Sequence, residues 1–142
     1  TFIGTAIRAA EKAGDLSDAG NRRKLAEAIS GATTFEIIRS RWSEGSRFDV
    51  TPDDILERMD EPTVGSAVYA AFKSIADYRG KERVGSKNPG FWQFLPRLHS
   101  MFPHCAKYLF VMRDGRDVAC SLSQKDWATS DLLVNAARWK SE

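Results

Sequence analysis

Residues 110–123 read FVMRDGRDVACSLS, and the folding of this stretch decides the architecture of the chain. An apolar run, Phe110 to Met112, meets Arg113-Asp114-Gly115-Arg116-Asp117 and then turns apolar again. Two foldings compete. Asp-Gly between apolar runs is a type I′ hairpin signal, and Val118, Cys120 and Leu122 alternate as a returning strand would. The other folding runs from a strand into a helix around Asp114-Gly115. Three features favour it. The return arm, Ala119-Cys120-Ser121-Leu122-Ser123, is small and polar where a partner for Tyr108-Leu109-Phe110 should be β-branched or aromatic. Val118, Leu122 and Lys125 also fit helical spacing, and Asp114 or Asp117 would stabilise a helix N-terminus. Finally, open parallel sheets bind ligands at the carboxyl ends of their strands, where this corner would lie.

Upstream residues extend that pattern. Ala106 to Met112 is β-prone and nearly continuous in apolar residues, as expected for a strand buried on both faces. Arg83-Val84-Gly85-Ser86-Lys87 reads as a short strand. Between the two, Asn88-Pro89 opens a helix with Phe91, Leu95, Leu98 and Phe102 on one face, closed by Pro103. Strand, helix and strand within about 30 residues make a βαβ unit with parallel strands and a right-handed crossover. The expected fold class is therefore α/β, with a short parallel sheet and a large helical insert.

The insert is residues 1–80. Leu25, Ala28 and Ile29 share a helical face, and Thr33/Thr34 can cap a helix carrying Phe35, Ile38 and Trp42 that ends at Gly45-Ser46. Thr51-Pro52-Asp53-Asp54 predicts a helix start, with Thr51 as N-cap, Pro52 at N1 and acids in the first turn. Ile55, Leu56 and Met59 form its apolar face, and Pro62 ends it. Val64, Val68, Ala71, Phe72 and Ile75 then predict a long amphipathic helix stopped by Gly80. The whole reads as one domain: 1–80 a helical insert, 81–125 a strand-helix-strand-helix core, and 126–142 a C-terminal helix.

Composition narrows the function. The 142 residues carry a formal net charge of +2, too small to imply nucleic acid or a membrane surface. The charge is unevenly spread: residues 81–125 hold eight Lys/Arg against three acids, a local excess suited to a small anionic ligand. The two cysteines, Cys105 and Cys120, sit in or beside apolar runs and are expected to be buried and reduced. Neither they nor the two histidines have metal-ligand spacing, so no metal is expected. No apolar stretch approaches the ~20 residues needed to span a bilayer. The chain starts abruptly at Thr1 and ends mid-pattern at Glu142, as a partial domain would, and the expected compartment is the cytoplasm.

At the expected corner, Arg113 stands at a strand tip and Ser121 lies one or two turns into the helix. A guanidinium offers a planar fork to phosphate oxygens, and a hydroxyl adds a neutral donor. The helix N-terminus would add amide donors and positive potential. Lys87 ends the other strand, within reach of a neighbouring anionic group. Singly, each has an ordinary reading: Arg113 an ion pair with Asp117, Ser121 a packing residue, Lys87 a solvated lysine. Their joint arrival at the ends of adjacent strands points to an anion site.

These residues resemble the sulfotransferases that use 3′-phosphoadenosine 5′-phosphosulfate (PAPS), in their bacterial-type and protein-tyrosine-like branches. A nucleotide-binding segment of that family is a strand ending in Arg, with Asp four residues later and Ser eight later, matched by Arg113, Asp117 and Ser121. Gly85-Ser86-Lys87-Asn88-Pro89 resembles the family's K-x-P segment, and Leu95 to Pro103 its L-x-x-L-x-x-x-F-P helix. The likeness covers residues 81–125 and continues weakly to Trp139. It implies a P-loop-NTPase-like three-layer fold. It assigns the nucleotide's 3′-phosphate to Arg113 and Ser121, and a catalytic, leaving-phosphate role to Lys87. PAPS would be the co-substrate, without a metal, and the acceptor a hydroxyl or amine on a carbohydrate, small alcohol or protein side chain. No nucleic-acid partner is expected, and neither acceptor nor oligomeric state is legible.

Two departures accompany the likeness. The glycine-rich loop for the 5′-phosphosulfate is absent, and Pro89 occupies the place of the histidine base of the small-molecule branch. The expected base is a Glu just before Thr1, in a P-E-[ST]-x-F setting whose tail would be Thr1-Phe2. His99 and His104, on or just past the crossover helix, are poor candidates for that role. So cut, the chain is expected to be inactive by itself. Two alternatives remain: a different P-loop-like phosphoryl-transfer enzyme, or a non-catalytic helical interaction domain. A protein-kinase catalytic loop is excluded, since Ala119 stands where Asn is required five residues past Asp114.

Overall fold

A computed structural model describes residues 2–32, 50–88, 90–103 and 105–141. The expected helix after Thr33/Thr34, with Phe35, Ile38, Trp42 and Gly45-Ser46, lies outside them, as do Pro89 and His104. The chain divides into two compact units, Thr1–Ala106 and Lys107–Glu142.

The first unit is built from helices α1 (Phe2–Ala13), α2 (Ala19–Ser30), α3 (Pro52–Arg58), α4 (Val64–Tyr78) and α5 (Leu95–Met101), with a 3-10 turn, Phe91–Phe94, leading into α5. Three of these helix starts have a side-chain cap. Asp18 caps α2 by accepting from the Asn21 N–H, and Thr63 caps α4 by accepting from the Ser66 N–H. At α3, Thr51 and Asp54 form the reciprocal capping box, with Pro52 in the first turn. The stop at Gly80 is a Schellman motif: Lys81 N–H donates to the Ala76 carbonyl and Gly80 N–H to that of Asp77. Gly80 holds φ +59, a left-handed conformation that L side chains adopt with strain.

Burial then follows the helical faces. Ile3, Ala6 and Ile7 of α1, Leu25, Ala26 and Ile29 of α2, Ile55 of α3, and Val68, Ala71 and Ile75 of α4 make the core. Phe2 meets Phe72 edge-on, with ring centroids 5.2 Å apart. Gly65 lies so close to the Met101 carbonyl that a Cβ there would collide with it, which lets α4 and α5 approach. Ion pairs tie the elements from outside: Arg23 to Asp53 at 2.8 Å and Arg97 to Glu11 at 2.8 Å.

The second unit holds α6 (Gly115–Leu122) and α7 (Leu132–Ser141). Its buried residues are Ala119 and Asn135, whose side-chain amide donates to the Thr129 carbonyl at 2.8 Å. A Cβ on Gly115 would stand 2.7 Å from the Trp139 ring, so glycine there serves close packing of α6 on α7. Gly115 holds no left-handed conformation: among the described residues only Gly14 and Gly80 have positive φ.

These helices overturn the expected α/β, P-loop-NTPase-like fold with its short parallel sheet. Among the described residues there is no strand. Residues 83–88 and 106–113 are irregular, and Leu109, Phe110, Val111 and Met112 are 94, 62, 89 and 89% exposed. The physical reason is that a strand has no hydrogen bonds of its own. Its N–H and C=O groups need a neighbouring ladder, and no described segment supplies one. Apolar, β-prone composition marks a segment able to pair, not one that has paired. The cysteines are a second correction: Cys105 and Cys120 are both free and exposed, Cys120 about 100° round α6 from buried Ala119. No described helix is long and apolar enough to cross a membrane.

Candidate functional site

The anion site expected at the corner is built on α6. Its helical half is present, which excludes the hairpin reading of residues 110–123. Asp114 is the N-cap, in extended backbone at φ −57, ψ 128, and its carboxylate accepts from the Arg116 N–H at 2.9 Å. The same carboxylate receives both arms of the Arg116 guanidinium, Nε to Oδ1 at 3.0 Å and Nη2 to Oδ2 at 2.6 Å. These bonds, the side-chain ones first, hold the Asp114 carboxyl below the usual aspartate range. The same pairing raises Arg116 further above its ordinary value.

This pairing changes what the helix terminus offers. An amide of the first turn already has an anionic partner in Asp114, and Asp117 adds a second carboxylate to that turn. An external anion placed at the N-terminus would face both, so the free amide donors expected there are not a ready cradle. Sequence reading did not find the Asp114–Arg116 pair. Its signal is the Asp-x-Arg spacing, which sets a cap carboxylate beside a guanidinium two residues on.

Arg113 is different. It precedes the cap on the extended segment, is exposed, and forms no ion pair or hydrogen bond with a described residue; the ordinary reading as a partner of Asp117 does not hold. Ser121 sits in the last turn of α6, half-buried, about 9 Å along the axis from Gly115. No bond joins its hydroxyl to Arg113. The two therefore bracket one helix, without a bond between them. Lys87 belongs to the other compact unit, exposed on the irregular 83–88 segment and without a described partner. His99 is exposed in α5.

Of the cavities formed by described residues, two lie in the first unit and are lined by none of Lys87, Arg113 and Ser121. One, of about 170 Å³, lies among α1, the 3-10 turn and α5 and includes Ile7, Phe91, Phe94 and Leu98. The other lies on α1 and α2. Among the described residues no group of three or more His, Cys, Asp or Glu could hold a metal ion. No protein-family model matches the chain, and no curated protein or solved structure matches it.

Proposed function

We propose that the chain takes part in sulfuryl transfer from PAPS, with Arg113 as the principal contact to the nucleotide's 3′-phosphate. The observation that supports this reading is the pairing of motif and helix. The Arg113/Asp117/Ser121 spacing coincides with a capped helix whose preceding arginine is exposed and has no ion pair among the described residues. In this reading the cap pair supports the role: Asp114 engages Arg116 and leaves Arg113 as the guanidinium available to a ligand. The reading makes no use of a sheet.

PAPS supplies the sulfuryl group and the leaving phosphate. The chain's residues contribute position and fixed positive charge, the main levers for in-line transfer of such groups. Arg113 offers a two-pronged hydrogen bond to the 3′-phosphate and Ser121 one hydroxyl donor. Lys87, expected from the sequence at the leaving phosphate, belongs to the other compact unit and has no part in this reading. The acceptor is a hydroxyl or amine, its proton taken by a base that these residues do not include.

Titration with 3′-phosphoadenosine 5′-phosphate, adenosine 5′-phosphate and ATP tests the reading. The first should bind tightest, and Arg113→Ala should weaken it by about 1.5–3 kcal/mol, roughly 10–150-fold. Equal affinity for adenosine 5′-phosphate, or an unchanged affinity in the variant, would overturn it. A second reading, a non-catalytic helical interaction domain, is favoured by the strand-free architecture of the described residues. It would be adopted if none of the three nucleotides bound.

A further inference from the structure

The groove between α1 and α2 is an electrostatic oddity. It has a volume of about 360 Å³, within the range of small-ligand sites. Ala9, Ala13 and Ala28 line it together with Thr5, Arg8, Lys12 and Lys24, and among the described residues no carboxylate does. Arg8 and Lys12 are one helical turn apart on α1, their backbone positions about 6 Å apart along the axis. Lys24 supplies the third from α2.

None of the three cations has an anionic partner among the described residues. Arg8 reaches the Thr5 hydroxyl at 3.4 Å, Lys24 reaches the Asn21 side-chain oxygen at 3.3 Å, and Lys12 has neither an ion pair nor a side-chain hydrogen bond. The acids of the same two helices and their connection are all engaged elsewhere. Glu11 pairs with Arg97, Glu27 with Arg23, Asp15 with Ser17, and Asp18 caps α2. The groove is not a sample of a generally basic surface either, because residues 1–80 carry a net charge of −2. Among the described residues, three cations without an anionic partner line one groove of a region that is net acidic, Arg8 lining the neighbouring cavity as well.

We infer that this groove binds a compact ligand bearing two or more phosphate or sulfate groups spaced about one helical turn apart. Concave geometry concentrates the field of the three cations, and each can donate charge-assisted hydrogen bonds to tetrahedral oxyanions. A single oxyanion engages only part of the set, so binding should strengthen with ligand valence. The site is independent of the proposed nucleotide contact at Arg113.

Tripolyphosphate and sucrose octasulfate, titrated into the full chain at about 50 mM salt, provide the test, with inorganic sulfate as the monovalent-group reference. Saturable binding of at least one multivalent probe is expected, with amide shifts at Ala9, Ala13 and Ala28; the tighter of the two identifies phosphate or sulfate esters as the ligand source. Lys12→Gln/Lys24→Gln should weaken that probe about tenfold or more, while Lys81→Gln/Lys140→Gln, with the same loss of charge, changes it less than about twofold. Arg113→Ala should also leave it unchanged, so loss of the nucleotide reading would not touch this one. Failure of both probes to saturate by about 1 mM, or equal losses in the two lysine pairs, would overturn the inference.

Discussion

The two units obey different rules. Thr1–Ala106 is held by burial: isoleucine, leucine, valine and alanine from four helices meet in a shared core, caps fix the starts of α2, α3 and α4, and ion pairs tie the helices from outside. Lys107–Glu142 buries little beyond Ala119 and Asn135 and leaves its most apolar segment, Leu109 to Met112, in water. Its order comes from short-range polar contacts, the Asp114 cap with Arg116 and the Asn135 bond to Thr129. The residues that most resemble a functional motif lie in the unit with the smaller core. Local chemistry is enough to form a helix end there, but not to impose a sheet.

The comparison is easiest to break with core deletions. Ile29→Ala, fully buried in α2, should cost about 2–5 kcal/mol in chemical unfolding of the first unit. A smaller cost would mean that this core is looser than its burial indicates. Glycine replacements come next. Gly65→Ala meets backbone at Met101, which cannot swing aside, and should destabilise by about 1–3 kcal/mol. Gly115→Ala meets the partly exposed Trp139 ring, which can rotate away, so its effect should be the smaller; the reverse order in thermal melts would contradict the assignment of rigidity to the first unit.

Caps give a finer contrast. Thr51→Ala should cost about 1 kcal/mol by removing half of the α3 capping box. Hydrogen bonds from Thr51, its side chain first, depress the Asp54 carboxyl below the ordinary 3.8, so the ionised folded form is favoured. That stabilisation is complete above 3.8 and fades as pH falls through the lowered folded value. Thr51→Ala should therefore flatten the acid limb of a stability–pH curve, and an unaltered limb would deny the box its role. The smallest effect belongs to Val111→Ala, where 89% exposure predicts a change within about 0.5 kcal/mol. A loss comparable to Ile29→Ala would show that residues 109–112 are covered in solution.

What could be read from sequence divides along the same line. The α3 start was legible because Thr51, Pro52 and Asp54 act within four residues, and the end of α4 because Gly80 meets a local backbone need. The 3-10 turn and α5 replaced one continuous crossover helix, a small difference at an end where Asn88 forms its own turn with the Gly90 N–H. The strands failed because pairing is a property of two segments together, whereas composition shows only that each is able to pair. The basic groove was invisible for a similar reason. Along the chain, Glu11 and Glu27 look like neutralising neighbours of Arg8, Lys12 and Lys24, yet Glu11 is drawn away by Arg97, 86 residues on, and Glu27 by Arg23. Arg113 and Ser121 were legible as a motif, but Asp114's hold on Arg116 was not.

The exposed run Leu109 to Met112, with half-buried Tyr108 before it, has a consequence for how copies of this protein meet each other. Five β-prone residues without proline or charge form the kind of short segment that recruits identical segments into cross-β stacks. Lys107 and Arg113 close it at both ends, so in-register stacking would line up like charges along a fibril. Arg113 is in this sense a gatekeeper against self-assembly, whatever else it contacts. Its replacement by alanine removes that guard, whereas Arg113→Lys keeps the charge and alters only the two-pronged geometry a phosphate would read.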